Sequence, residues 1–283
     1  MKIKEFRTHF NKELSALFPQ TEIDSFFFLL IEKELGLQRI DLTLNKQLPI
    51  PEDKFKYVYN ALSRLKVQEP IQYISGETEF YGLPFNVTRD TLIPRPETEE
   101  LVTWVLEEAT SKTVENPLTI LDIGTGSGCI AISLAKNLPN AHLFAMDVSE
   151  KALKVAQANA TKNEVQIEFI QTNILEVNKL PQQFDVIVSN PPYVRDLEKK
   201  EIQPNVLENE PHLALFVDDN NPLVFYKKIA ELAKNHLTKN GKLFFEINQY
   251  LGKEMIDLLQ EHGFTTELKK DIFGNDRMTK STL

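Results

Sequence analysis

Leu121-Asp122-Ile123-Gly124-Thr125-Gly126-Ser127-Gly128 decides how the rest of the chain is read. It lies where an apolar strand gives way to a helix. Glycines at such a junction let the backbone turn tightly and let a ligand come close. The spacing is G-x-G-x-G. Most dinucleotide sites use G-x-G-x-x-G, because their ligand needs a helix N-terminus against its pyrophosphate. S-adenosylmethionine has no phosphate, and its amino-acid end and ribose fill the same kind of crevice. Asp122 is placed to meet the amino group of such a ligand, directly or through water.

Downstream of this loop the pattern alternates strand and helix. Strands are expected at 118–123, 142–146, 167–172, 184–189 and 242–247. Helices fall between them, at 152–160 and, after Asn221-Pro222, at 223–237. This is the pattern of an α/β domain, a Rossmann-like and mostly parallel sheet covered on both faces. The tail, 264–283, is expected to add two strands at an edge. Asp147 ends the second strand, 19 residues beyond Gly128, where an acid accepts hydrogen bonds from both ribose hydroxyls. Asn173 follows the third strand and is expected to read the adenine amino edge. The expected cofactor-binding residues are Gly124, Thr125, Gly126, Ser127, Gly128, Asp147, Asn173 and Asn190.

Asn190-Pro191-Pro192-Tyr193 follows the apolar run Phe184-Asp185-Val186-Ile187-Val188. Neither proline donates a backbone hydrogen bond, so sheet pairing stops there. The prolines also fix the directions of the Asn190 and Pro191 carbonyls. The result is a rigid pocket with an amide side chain, carbonyl acceptors and a flat ring. It suits a planar group bearing an NH2 and poorly suits a carboxylate or a phosphate. The Asn190 side-chain oxygen and the Pro191 carbonyl each accept one N–H, which turns the nitrogen lone pair toward a methyl donor. An amide or exocyclic amino nitrogen is a poor nucleophile and a methyl sulfonium a strong electrophile, so placement matters more than a general base. Asn190 and Pro191 are therefore the expected catalytic residues, and Pro192 and Tyr193 join them in substrate binding.

Upstream the chain reads as helical to about residue 67. Phe6, Phe10, Leu14 and Leu17 recur at helical spacing, and Thr21 with Asp24 reads as the start of a second helix. The cluster at 26–28 reads as core. Pro51 opens a further helix through Tyr57, Val58, Ala61, Leu62 and Leu65. From 71 to 92, Tyr73, Ile74, Phe80, Tyr81, Phe85 and Val87 are interrupted by Gly76 and by Gly82-Leu83-Pro84, which suggests a β-hairpin. Pro96 then starts a helix whose first turn is acidic. Arg95 and Glu97 read equally well as that helix start or as the mouth of the cofactor crevice. The expected organisation is a helical bundle at 1–69, a hairpin linker at 70–92 and a catalytic domain at 93–283.

The chain has 283 residues and a net charge of −9, with one cysteine, Cys129, and five scattered histidines. One cysteine excludes an internal disulfide, and no histidine or cysteine spacing suggests a metal site. No apolar run approaches the roughly 18–20 residues of a membrane span, and the first residues lack the apolar core of a secretory signal. A cytoplasmic monomer is expected, with no membrane contact. The acidic balance disfavours direct nucleic-acid binding and suits a basic partner, such as a protein that itself binds RNA.

Five segments together resemble one family. They are Gly76-Glu77-Thr78-Glu79-Phe80, Leu92-Ile93-Pro94-Arg95-Pro96-Glu97-Thr98-Glu99, the glycine loop, Asn190-Pro191-Pro192-Tyr193, and Glu210-Pro211 with Ala214-Leu215. The chain is similar to the PrmC/HemK family of class I S-adenosylmethionine-dependent methyltransferases. Members methylate the side-chain amide of the glutamine in the Gly-Gly-Gln motif of peptide chain release factors and leave S-adenosylhomocysteine. The resemblance implies that the N-terminal helical domain engages the release factor. It also implies that Asn190 and Pro191 hold the glutamine amide, while the glycine loop and Asp147 hold the cofactor. Asn173-Ile174 stand where bacterial members often have Asp-Trp. Two other readings stay open on the residues alone, an adenine-N6 methyltransferase of DNA or RNA and a non-catalytic release-factor-binding module.

Overall fold

Phe6, Phe10 and Leu14 are fully buried along one face of helix α1 (Ile3–Leu14) in the computed structural model, which describes residues 1–45, 47–110 and 117–283. Their partners are Ile23, Phe27, Leu30 and Ile31 of α2 (Gln20–Leu35) and Val58, Ala61, Leu62 and Leu65 of α4 (Glu52–Leu65). Between them runs a short helix, α3 (Arg39–Leu44), with no buried residue, which is why apolar periodicity did not reveal it. Two expectations shift here. Leu17 lies beyond the end of α1 and is 40% exposed. Helix α2 starts at Gln20 after Pro19, so Thr21 sits inside the helix rather than capping it. Phe27 is core, whereas Phe28 is half-buried beneath the guanidinium groups of Arg7 and Arg39, 4.9 and 4.5 Å from its ring centre.

Residues 71–75, expected in the hairpin, instead form helix α5 (Ile71–Ser75). Pro70 precedes its first turn, and Gly76, at φ +76°, ends it in the left-handed conformation that glycine adopts without strain. The hairpin is confined to β1 (Glu77–Phe80) and β2 (Leu83–Asn86). The described chain divides into two compact units, Met1–Gly76 with Gln203–Asn209, and Glu77–Ile202 with Glu210–Leu283.

The second unit continues with α6 (Pro96–Thr110), β3 (Thr119–Ile123), α7 (Cys129–Asn137), β4 (His142–Asp147), α8 (Glu150–Lys162) and β5 (Glu168–Gln171). A 3-10 turn (Ile174–Glu176) leads to β6 (Phe184–Ser189) and β7 (Val194–Arg195). Helix α9 (Pro204–Asn209) belongs to the first unit. There follow α10 (His212–Leu215), β8 (Phe216–Val217), α11 (Val224–His236), β9 (Leu237–Glu246), α12 (Gly252–Glu261), β10 (Thr265–Lys270) and β11 (Asp276–Thr282).

Seven strands form one sheet in the order β10-β11-β9-β6-β3-β4-β5. Strands β3, β4, β5, β6 and β9 are mutually parallel, and β11 is antiparallel to both β9 and β10. Of the two tail strands only β10 is an edge, because β11 inserts between it and β9. The inner strands are buried on both faces, so they read as nearly unbroken apolar runs. Ile187, Leu243 and Phe245 face a core shared with Tyr226, Ile229 and Met255 of α11 and α12. Val186, Val188 and Phe244 face the opposite core with Leu101, Trp104 and Val105 of α6.

The order of the strands places the site. The chain runs from β3 outward through β4 to β5, then crosses back to lay β6 on the other flank of β3. Ligands of open α/β sheets bind at this reversal, beyond the carboxyl ends of the strands. Ile123 pairs with Met146 on one side and with Ser189 on the other, so the glycine loop, Asp147 and Asn190 all leave the sheet at one level.

Candidate active site

The glycine loop is held from below and from both flanks. The Gly124 and Thr125 N–H groups donate to the Met146 carbonyl at 2.8 and 3.0 Å, and Gly126 N–H donates to Asp147 Oδ2 at 2.9 Å. Gly124, Gly126 and Gly128 have φ of +75°, +55° and +83°, a region that other residues enter only with strain. Gly128 has a second constraint, since a Cβ there would lie 2.9 Å from Ile132 Cδ1 and 3.1 Å from Ala156 Cβ. It is the contact between the loop, its own helix and α8 that requires glycine at this position.

Asp122 has a different role from the one its sequence position suggests. It is fully buried, its Oδ2 accepts from the Thr125 hydroxyl at 2.7 Å and from Ala131 N–H at 3.3 Å, and it does not line the crevice. Burial drives its pKa up to about 7, against the pull of those two hydrogen bonds. Asp122 therefore holds the loop together from beneath. Cys129 begins α7, and burial pushes its thiol up to about 12, which leaves it protonated and unreactive at neutral pH.

A cavity of about 420 Å³ opens above these strand ends, within the usual range for a small-ligand site. Gly124, Gly126, Asp147, Asn173, Asn190, Pro191 and Pro192 all line it. Thr125, Ser127 and Gly128 do not, because they turn inward to shape the loop and are buried, and neither does the expected substrate-binding residue Tyr193, which packs against the core with its hydroxyl on Glu246. Apolar side chains supply much of the remaining wall, among them Val148, Ile174, Leu175, Leu213 and Phe225. Asp147 already accepts one backbone N–H on each oxygen, from Ser149 and Gly126, both at 2.9 Å. A carboxylate oxygen has a second lone pair, so both can still accept from a ligand hydroxyl. Asn173 is engaged at both ends of its amide, accepting from Leu175 N–H at 3.1 Å and donating to Glu176 at 2.8 Å. It caps the 3-10 turn as well as forming wall.

The residues fit S-adenosylmethionine by the chemistry of the lining. An acceptor-only carboxylate would suit the ribose diol, the apolar walls would suit the adenine, and no phosphate cradle would be required. Arg89 is the cationic side chain among the lining residues.

On the other flank, Ser189 donates its hydroxyl to the Ile123 carbonyl at 2.7 Å and locks β6 to β3 just before Asn190. Pro191 is buried and Asn190 half-buried. Asn190 Nδ2 donates to Thr98 Oγ1 at 3.3 Å, and Thr98 donates to Glu246 Oε2 at 2.6 Å. Tyr193 donates to Glu246 Oε1 at 3.1 Å, and Asn248 donates to the Tyr193 carbonyl at 3.0 Å. Burial raises the Tyr193 hydroxyl pKa far above its ordinary value, so it stays a donor. Glu246 and Asn248 carried no signal in the sequence, and Thr98 only stood in the family-like segment 92–99, because their roles depend on α6, β9 and β6 meeting in space.

Arg95 and Glu97 do not line the crevice. Arg95 pairs with Glu210 at 2.6 Å, and Glu210, only 4% exposed, also accepts from Ile93 N–H at 3.4 Å. This pair ties the segment before α6 to Pro211, Leu213 and Ala214, which do line it.

A glycine loop at the sheet reversal, an acid ending the next strand and an Asn-Pro-Pro-Tyr turn beyond β6 define a class I, Rossmann-like methyltransferase. The comparisons agree and narrow the class. Residues 103–215 match the methyltransferase small domain model, and residues 5–76 match the PrmC N-terminal domain model. The chain is 59% identical over 281 residues to the release factor glutamine methyltransferase of Flavobacterium psychrophilum, covering 99% of each. It is 42% identical over 274 residues to the protein of that name from Bacteroides thetaiotaomicron, covering 95% of this chain and 96% of the relative. The solved structure of human methyltransferase 10 domain containing protein shares the fold, with a TM-score of 0.51 at 17% identity over 71% of this chain and 89% of that one. The chain belongs to the release factor glutamine methyltransferase family.

Proposed function

We propose that this enzyme transfers a methyl group from S-adenosylmethionine to the side-chain amide nitrogen of the glutamine in the Gly-Gly-Gln motif of peptide chain release factors. The observation that carries this reading is the convergence of Asp147, the glycine loop and Asn190-Pro191 on one cavity at the strand reversal. When bound there, S-adenosylmethionine supplies an electrophilic methyl group. Asp147 holds the ribose hydroxyls, and Gly124 and Gly126 let the ligand approach the backbone. Val148, Ile174 and Leu175 enclose the base, with Asn173 shaping that wall through its cap.

Asn190 Oδ1 and the Pro191 carbonyl each accept one N–H of the glutamine amide. This pair fixes the plane and direction of the nitrogen. As the nitrogen becomes pyramidal its protons grow more acidic, so preset acceptors strengthen their hold in the transition state. Tyr193 packs against the core behind the cavity, its hydroxyl tied to Glu246, and so braces the turn rather than touching the planar group. No general base is needed, since the extra proton can leave after transfer. The helical unit at the N-terminus, matched by the PrmC N-terminal domain model, engages the body of the release factor.

The test supplies labelled S-adenosylmethionine and the purified enzyme with release factor, or with release factor carrying Gln→Ala in its Gly-Gly-Gln motif. Label on the intact factor alone is expected. Equal labelling of both, or labelling of DNA in place of either, overturns the assignment.

A further inference from the structure

An asparagine amide can face either way, and only one orientation serves the proposed reaction. If Asn190 turned its NH2 toward the substrate, it would oppose one donor with another. We infer that Thr98 and Glu246 act as positioning residues that fix the Asn190 amide with its oxygen toward the substrate nitrogen. The inference rests on the methyl-transfer reading above and deepens it.

A threonine hydroxyl has one proton to give and lone pairs to receive. Thr98 lies 2.6 Å from Glu246 Oε2 and is 2% exposed, so its proton goes to the carboxylate. Its oxygen is then left as an acceptor toward Asn190, 3.3 Å away. An acceptor at that point is satisfied only by Nδ2. The carbonyl end of the amide is thereby turned from Thr98 and left without a protein donor among the described residues.

Glu246 is built for this task. It is 1% exposed, and its second oxygen takes the Tyr193 hydroxyl. Its backbone carbonyl takes the Tyr226 hydroxyl at 3.0 Å. Burial pushes its pKa up, against the pull of the Thr98 hydroxyl, the Arg277 cation and the Tyr193 hydroxyl, and it is the geometry, one hydroxyl donor on each oxygen, that makes it an acceptor on both sides. One buried carboxylate therefore sets both ends of the Asn-Pro-Pro-Tyr turn, Asn190 through Thr98 and Tyr193 directly. Thr98 is the third residue of α6 and Glu246 the last of β9, 148 residues apart, so the folded core itself sets the amide.

The experiment compares Thr98→Val, Thr98→Ser, Glu246→Gln and the double variant Thr98→Val/Glu246→Gln in the full chain. It measures kcat and KM with intact release factor, the Kd of S-adenosylmethionine and the thermal midpoint. Thr98→Val is expected to lower kcat by about tenfold or more, with the cofactor Kd and the release-factor KM changed less than about threefold. Thr98→Ser keeps kcat within about threefold, because it restores the one hydroxyl. The double variant is no slower than Thr98→Val, since both changes break one chain of hydrogen bonds. If Thr98→Val does not fold, Glu246→Gln, which preserves volume, carries the test with the same expected fall in kcat. An unchanged kcat in the folded variants, equal losses in the valine and serine variants, or multiplicative losses in the double variant overturn the inference. A wild-type enzyme inactive on release factor would instead overturn the methyl-transfer reading.

Discussion

Two carboxyl groups at the strand ends have opposite tasks, decided by what surrounds them. Asp147 is half-exposed at the cavity wall and keeps lone pairs for a ligand, whereas Asp122 is sealed beneath the loop. With its pKa raised from 3.8 to about 7, Asp122 binds a proton more tightly folded than unfolded. Its contribution to stability is therefore full at low pH and is lost as pH rises from about 4 through about 7. Asp122→Asn is expected to flatten the stability profile across that window by up to about 4 kcal/mol relative to wild type. Denaturant unfolding of both proteins from pH 4 to 8 checks this, and parallel profiles contradict it. From sequence alone Asp122 and Asp147 look alike, as acids near a glycine loop. Burial separates them, and burial at a strand end depends on which helix lands above it.

At the scale of elements, three features meet at Gly128. The loop needs positive φ, α7 starts there, and Ala156 of α8 comes close from the side. Gly128→Ala should lose about 1–3 kcal/mol of stability from backbone strain and overpacking together. It should also weaken S-adenosylmethionine binding, and thermal unfolding with calorimetric titration measures both. The same tie extends to the hairpin through Asn159, which is fully buried. Its Nδ2 donates to the Ser127 and Asn86 carbonyls at 2.9 Å, and its Oδ1 accepts from Asn86 N–H at 2.7 Å. The seven strands of the large sheet, the hairpin and helices α6, α7, α8 and α11 were legible because their apolar runs, prolines and glycine breaks are local signals, whereas β7, β8 and α12 were not. Helices α3 and α5 were not, since one buries nothing and the other is too short for periodicity to register. In the site, the glycine loop, Asp147 and the Asn-Pro-Pro-Tyr turn were legible as contiguous motifs. Glu246 and Asn159 were not, and Thr98 and Glu210 stood in family-like segments without their roles showing, because each works through a partner at least 70 residues away in sequence.

At the scale of the whole molecule, the net charge of −9 bears on the partner rather than the fold. A release factor with a basic face would be steered to this acidic enzyme, while S-adenosylmethionine, small and bound through local contacts, would feel the field less. Raising salt from about 50 to 300 mM, which shortens the Debye length from roughly 14 to 6 Å, is expected to raise the KM for release factor several-fold. The KM for S-adenosylmethionine should move less than twofold. Equal shifts would mean that the charge balance has no part in partner recognition. Among the described residues no helix is long and apolar enough to cross a membrane.

In the proposed reaction Asn190 grips the substrate nitrogen while the other flank of the cavity grips the cofactor. The most direct measurement is the rate of methyl transfer to release factor by Asn190→Ala, taken with the calorimetric Kd for S-adenosylmethionine on the same preparation. The rate should fall by about a hundredfold or more with the Kd within about threefold of wild type, as expected when an interaction made mainly in the transition state is removed. A parallel loss of rate and cofactor affinity would contradict the account and make Asn190 a residue that chiefly holds the cofactor.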